Sequence, residues 1–226
     1  MPAEGTRLAL RGLYAITPEE RDTRLLVARV EACIEGGAAA VQYRAKSIHA
    51  DLRLEQARRL ADLCRSHGVP LIVNDSVELA LEANADGVHL GSDDGDVRDA
   101  RGRMGDRLIG LSCYDEIARA RAAASLDVDY VAIGSVFPSA TKPHAVRAPL
   151  SLLSEARRVS GSPVVAIGGI TAKNAGAAIA AGADMVAVIS AVFDATDVRA
   201  AARSIARLFN DPSPGADDVR AQPRAV

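Results

Sequence analysis

The chain has 226 residues, 49% of them hydrophobic but only 3% aromatic and none Trp, with a formal net charge of −2. That length suits one α/β barrel with a core of Ala, Val, Leu and Ile, and the small charge excludes a broad basic field for nucleic acid, so any anion site must be local. Cys33, Cys64 and Cys113 are odd in number and form no C-x-x-C pair, which argues against a disulfide framework or a zinc site and fits a reducing cytosol. The opening MPAEGTRLAL holds no apolar stretch of signal-peptide length, and no run approaches a membrane span; the expectation is a cytoplasmic protein that does not contact membrane.

In chain order, short apolar runs read as strands: GLYAIT (12–17), AVQYRAK (40–46), PLIVND (70–75), GVHLG (87–91), LIGLSC (108–113), YVAIGSV (130–136), PVVAIGG (163–169) and MVAVIS (185–190). Ala-, Leu- and Arg-rich stretches lie between them. In 51–68, Leu52, Leu54, Ala57, Leu60, Ala61 and Cys64 recur at helical spacing, and Gly68 and Pro70 stop the helix. An eighth helix is expected near 197–209. Repeated β-α units imply parallel strands with right-handed crossovers, and eight of them favour a closed (β/α)8 TIM barrel over residues 1–209. The segment 210–226 has Pro, Gly and charge without periodicity and reads as a disordered tail.

Barrel active sites gather at the C-terminal ends of the strands. Alternation along the second strand puts Val41, Tyr43 and Ala45 toward the helices and Gln42, Arg44 and Lys46 toward the barrel axis. Two cations buried there without partners would cost several kcal/mol each, roughly; an anionic ligand is the simplest partner, internal carboxylates the plainer one. The third strand ends in Asn74 and Asp75, and the fourth is followed by Ser92, Asp93 and Asp94. Neighbouring strands lie about 4.8 Å apart, so Asp75 and Asp94 could reach one cation. Hard oxygen ligands without a His or Cys cluster point to Mg2+ completed by substrate phosphates. The plainer role for Asp94, or for Asp93, is capping the next helix. Gly168-Gly169 at the seventh strand, with Ile189-Ser190 opposite, is a second anion candidate. His89 reads as a satisfied strand residue rather than a base. The loop SVFPSATKPHA (135–145) sets Ser139, Thr141 and Lys142 between two prolines, either as a surface turn or as a phosphate grip.

From about Leu13 to about Phe193 the motifs QYRAK, VND, ADGVHLGSDD, IGLS, FPSATKP and AIGGI…NA, in order and in register, resemble the thiamine phosphate synthase family. The resemblance implies a (β/α)8 barrel that joins 4-amino-5-hydroxymethyl-2-methylpyrimidine diphosphate to 4-methyl-5-(2-phosphooxyethyl)thiazole with Mg2+. It implies that Gln42 binds the pyrimidine, that Arg44, Lys46, Asn74 and Lys142 hold the diphosphate, and that Asp75 and Asp94 ligate Mg2+. Ser112 would contact the pyrimidine substrate near the leaving oxygen. Ser139, Thr141, Gly169, Ile189 and Ser190 would hold the thiazole phosphate. Arg44, Lys46, Ser112 and Lys142 are the expected catalytic set. Ser92 stands where the family often has Gln, Tyr114 where it often has His or Asn, and Ser139-Ala140 where Thr-Pro is usual. Its rivals are a thiazole tautomerase on the same fold, with His144 as the place to look for an acid–base group, and a barrel that only binds thiamine phosphates. The two phosphorylated substrates are the expected partners, and the Ala-rich helices leave room for a homo-oligomer face.

Overall fold

The computed structural model describes residues 10–138 and 146–210. Ser139, Thr141, Lys142 and His144, and all of the tail expected over 210–226 except Asn210, lie outside the described residues. Eight parallel strands close in sequence order into one barrel, β1 pairing with both β2 and β8. They are β1 Gly12–Ile16, β2 Ala38–Tyr43, β3 Leu71–Asn74, β4 Gly87–Leu90, β5 Leu108–Tyr114, β6 Tyr130–Ile133, β7 Val164–Ile167 and β8 Met185–Val188. The helices between and after them are α1 Thr23–Glu35, α2 Ala50–Ser66, α3 Val77–Glu82, α4 Val97–Met104, α5 Ile117–Ala123, α6 Ser151–Ser160 and α7 Ala175–Ala180. A one-turn helix α8, Ser190–Phe193, and then α9, Val198–Ala206, follow β8.

Most strands stop one to three residues earlier than their apolar runs. The polar ends of those runs belong to the mouth loops rather than to the ladder. α8 was not expected, because four residues carry no readable period. Asp22, Ser76, Asp96 and Asp197 cap α1, α3, α4 and α9 with their side chains. Asp96, not Asp93 or Asp94, therefore starts α4. In α2 the apolar stripe is narrower than its spacing predicts: Ala57, Leu60, Ala61 and Cys64 are buried, while Leu52 and Leu54 are half-buried. Gln56 joins the buried face. It accepts the Tyr43 hydroxyl at 2.7 Å and donates to the Glu20 carbonyl at 2.8 Å, so its burial leaves no orphan.

Two cores result. An aliphatic shell between strands and helices includes Val41, Leu60, Val73, Val88, Ile133 and Val186. A smaller plug inside the barrel includes Tyr14, Ile16, Ile72, Tyr130, Val165 and Met185. Gly110 makes room for the plug: a Cβ there would sit 2.0 Å from the Tyr130 ring. All three cysteines are free and buried, and burial pushes each thiol up to about 12.

At the N-terminal end, one device recurs three times. Asp86, Asp129 and Asp184 directly precede β4, β6 and β8, and their carboxylates accept the N–H of Leu71 (2.8 Å), Ile109 (2.8 Å) and Val164 (2.9 Å) in the preceding strand. Each aspartate's own N–H donates back to the carbonyl of that same residue, at 2.9, 2.8 and 2.8 Å. Arg101 and Arg157 neutralise Asp129 and Asp184. A charged, two-way contact of this kind pins register where the ladder begins.

Candidate active site

A cavity of about 400 Å³ opens at the C-terminal end of the barrel. Its wall takes residues from all eight strand ends, among them Gln42, Asn74, Asp94, Ser112, Gly169 and Ser190. A wider hollow of about 540 Å³ lies near the other end, where Arg65 and Arg107 both bond to Asn84. Its arginines are engaged with the fold, so the chemistry converges on the barrel mouth instead.

The alternation expected for the second strand holds: Val41 and Tyr43 are buried in the outer shell with Ala45 packed against it, Gln42 is buried inside the barrel, and Arg44 and Lys46 line the cavity. β2 ends at Tyr43, so Arg44 and Lys46 stand on the mouth loop. Arg44 is half-buried and the Lys46 side chain is 55% exposed. The desolvation cost expected for two interior cations therefore does not arise. Lys46 meets Asp75 at 2.9 Å, which is the internal-carboxylate pairing weighed above. The loop is held from below by the segment after β1. The Thr17 hydroxyl accepts the Arg44 N–H at 3.0 Å, and Glu19 accepts those of Lys46 and Ser47 at 3.0 and 3.2 Å. Desolvation opposes ionisation of Glu19, but these two N–H groups, the Ser47 hydroxyl and the Arg44 charge together outweigh it and hold its carboxyl below the usual range. Thr17 and Glu19 carry no signal in the sequence, since only the folded loop shows what they tie.

Asp75 follows β3 with φ +67, a left-handed conformation that Asp tolerates better than most residues. That turn aims its carboxyl at Asp94, with which it shares a hydrogen bond. Partial burial raises Asp75, but Lys46 and the Asp94 contact prevail and bring it below the ordinary carboxylate value. Asp94 moves up, through burial and the neighbouring Asp75 carboxylate, against the Gly91 N–H that donates to it at 2.7 Å. One ionised carboxylate, a second that must share its charge, and a lysine make a cation-and-diphosphate type of donor set. Among the described residues no group of three or more His, Cys, Asp or Glu gathers as a metal site, at this mouth or elsewhere. Two hard carboxylates fit Mg2+, which commonly takes that number and leaves the rest of its shell to water and substrate oxygens.

Ser92 and Tyr114, noted separately as departures, meet here. Tyr114 ends β5 at an irregular step in the ladder with φ +54, an outlier for a bulky residue, and the Arg119 guanidinium lies 5.3 Å from its ring centre. Its hydroxyl accepts the Ser92 N–H at 3.2 Å and lies 3.3 Å from the Ser92 Oγ. Tyr114 thereby braces the loop that carries Asp94.

Across the cavity, Gly168 and Gly169 both take positive φ, and Ile189 leads into α8 at Ser190. A Cβ on Gly169 would lie 2.1 Å from the Pro138 carbonyl. The glycines thus serve loop packing as well as any phosphate approach. Asn174 ties this wall by donating to the Gly169 carbonyl (2.9 Å) and accepting the Thr171 N–H (2.8 Å).

The floor holds what the sequence concealed. Gln42 Nε2 donates to the Tyr14 hydroxyl at 2.8 Å, Tyr14 meets the Tyr130 hydroxyl at 2.8 Å, and Tyr130 lies 3.0 Å from His89 Nδ1. His89 Nε2 is 2.9 Å from the Ser112 Oγ. Burial lowers His89 to about 4, only partly countered by Asp75, so the ring is neutral near pH 7. His89 is a satisfied strand residue, as expected, but it belongs to a chain that ends on Ser112.

A family model described as thiamine monophosphate synthase matches residues 13–192. The chain belongs to the thiamine monophosphate synthase family. Curated thiamine-phosphate synthases of Aromatoleum aromaticum and Methylobacillus flagellatus are 56% and 54% identical to it over 202 residues, 89% of this chain and 97% and 96% of theirs. A solved thiamine phosphate pyrophosphorylase from Pyrococcus furiosus superposes with a TM-score of 0.81 at 35% identity, covering 91% of this chain and 98% of that one. A solved 3-hexulose-6-phosphate synthase, at TM-score 0.65 and 16% identity, shares the fold alone.

Proposed function

We propose that this member of the synthase family joins 4-amino-5-hydroxymethyl-2-methylpyrimidine diphosphate to 4-methyl-5-(2-phosphooxyethyl)thiazole, releasing diphosphate and thiamine phosphate. The observation that supports this best is one cavity with two unlike anion seats. The Asp75–Asp94 pair beside Lys46 lines one side, and Gly168, Gly169 and Ser190 line the other. One substrate brings a diphosphate, the other a monophosphate.

In this reading the bond from the pyrimidine methylene carbon to the diphosphate oxygen breaks first, and its electron pair leaves with the diphosphate. The electron-rich aminopyrimidine stabilises the methylene cation, and the thiazole nitrogen supplies the lone pair that forms the new C–N bond. No protein nucleophile is required. Arg44, Lys46 and Asn74 hold the departing diphosphate, and Gln42 and Ser112 orient the pyrimidine. Gly169, Ile189 and Ser190 hold the thiazole phosphate. Lys142 would join the diphosphate seat, and Ser139 and Thr141 the phosphate seat, on the family resemblance. Asp75 and Asp94 would hold Mg2+, which when bound supplies positive charge for the leaving oxygens. The rest is orientation and fixed charge. The absence of any helix long and apolar enough to cross a membrane, among the described residues, and three buried free thiols are compatible with a cytoplasmic setting.

Purified protein, both substrates and Mg2+ test the proposal through diphosphate release and thiamine phosphate formation. The expected result is release that needs both substrates and stops on chelation. No diphosphate release would overturn the synthase reading, and isomerisation of the thiazole phosphate without the pyrimidine would favour the tautomerase.

A further inference from the structure

The chain Gln42–Tyr14–Tyr130–His89–Ser112 crosses the cavity floor through five strands, β2, β1, β6, β4 and β5. Each phenol owns one proton, and the neutral imidazole owns one N–H, so the protons cannot be placed independently. Gln42 Nε2 is a donor, which makes Tyr14 an acceptor toward it. The Tyr14 proton then has Tyr130 as its partner. Tyr130, already accepting, gives its own proton to His89 Nδ1. His89 Nδ1 therefore carries no proton, and Nε2–H donates to the Ser112 Oγ. Ser112, already accepting, keeps its hydroxyl proton for the cavity. At the other end, Gln42 keeps its carbonyl oxygen for the cavity. Burial supports this order: it pushes both phenols far above the ordinary tyrosine value, so neither can escape by ionising.

We propose that this chain runs in one direction, so that Tyr14, Tyr130 and His89 are positioning residues that present Ser112 as a hydrogen-bond donor and Gln42 as an acceptor to the ligand. An aminopyrimidine edge carries the complement, an amino N–H beside a ring nitrogen. The identity of that ligand rests on the proposed function; the direction of the chain does not. Running the chain backwards would reverse both ends at once. Gln42 would then present N–H groups and Ser112 only lone pairs, and the same edge would be met donor against donor.

Two experiments test this. In protein labelled with 15N-histidine, His89 is identified by the signal lost in His89→Gln. The expected spectrum shows Nδ1 as the unprotonated nitrogen and Nε2 as the protonated one at neutral pH. An Nδ1–H tautomer in the ligand-free wild-type protein overturns the proposal, whatever the protein's activity. Tyr130→Phe removes the donor to Nδ1. The expected result is a histidine spectrum containing the second tautomer and a kcat/KM for the pyrimidine substrate about five- to tenfold lower, with the KM for the thiazole phosphate unchanged. An unaltered tautomer together with unaltered kinetics in that variant also overturns it.

Discussion

At the N-terminal end of the barrel, Asp86, Asp129 and Asp184 each close a two-way contact with one backbone residue of the neighbouring strand. At the C-terminal end, Asp75 and Asp94 face each other, with Lys46 alongside at the rim of the cavity. The residue type is the same and the partners differ. A carboxylate that accepts a strand N–H is committed to the fold. A carboxylate that faces another carboxylate is strained by charge and gains from a cation. A backbone N–H alone does not decide the role, for Asp94 also accepts one from Gly91; what separates the two ends is the second carboxylate that Asp94 faces.

Asp75→Asn keeps the size and the left-handed backbone but removes the charge. Turnover, read as diphosphate release, is expected to fall by about 10²–10³, with the thermal midpoint nearly unchanged. Retained turnover would place Asp75 with the structural aspartates.

Acid must be kept out of the comparison, because His89 lies between the two ends and has its own linkage. Its folded value is about 4, below the ordinary 6.5, so the unfolded chain binds the proton more readily in between. This contribution to stability is fully present above about pH 6.5 and is lost as pH falls toward 4, on the order of 3 kcal/mol. Thermal midpoints measured across that window should fall with acid in the wild type, and less steeply in His89→Gln. Equal slopes would assign the acid sensitivity to the carboxylates instead.

Asp184→Ala probes the opposite end. It strands the buried Val164 N–H, while the exposed Arg157 turns to water, so about 1–3 kcal/mol of stability is expected to be lost, lowering the midpoint by roughly 2–10 °C. Turnover per folded molecule at 25 °C should remain at the wild-type level. A selective loss of turnover would dissolve the distinction between the ends. The smallest effect is expected from Tyr114→Phe, which removes the acceptor of the Ser92 N–H and loosens the Asp94 loop. The Mg2+ concentration for half-maximal turnover should rise about two- to fivefold; no change would make the brace irrelevant to the acidic pair.

Much of the site was legible because strand period and turn residues are local signals. The runs ending in Asn74-Asp75 and Gly168-Gly169 point to one end of the barrel, and the cavity lies there. The same period puts Arg44 and Lys46 on the cavity side but not at the rim, since alternation says nothing of where the ladder stops. α8 was too short to leave a pattern. Tyr14 and Tyr130 read as ordinary strand residues, yet their hydroxyls meet across 116 residues of sequence. Ser92 and Tyr114 looked like two separate departures until the fold set one hydroxyl against the other's N–H.

Local patterns along the chain encode the eight β-α units, the aliphatic core, the family motifs and the end of the barrel where polar residues collect. These depend on neighbours three or four residues away and on the short reach of turns and caps. Tertiary structure settles which aspartates pair with strand ends and which face each other, that Lys46 sits at the rim, and that five side chains form one chain ending on Ser112. Those choices depend on strand register and barrel closure, which set polar atoms from distant segments within 3 Å of each other, and no local pattern encodes that meeting.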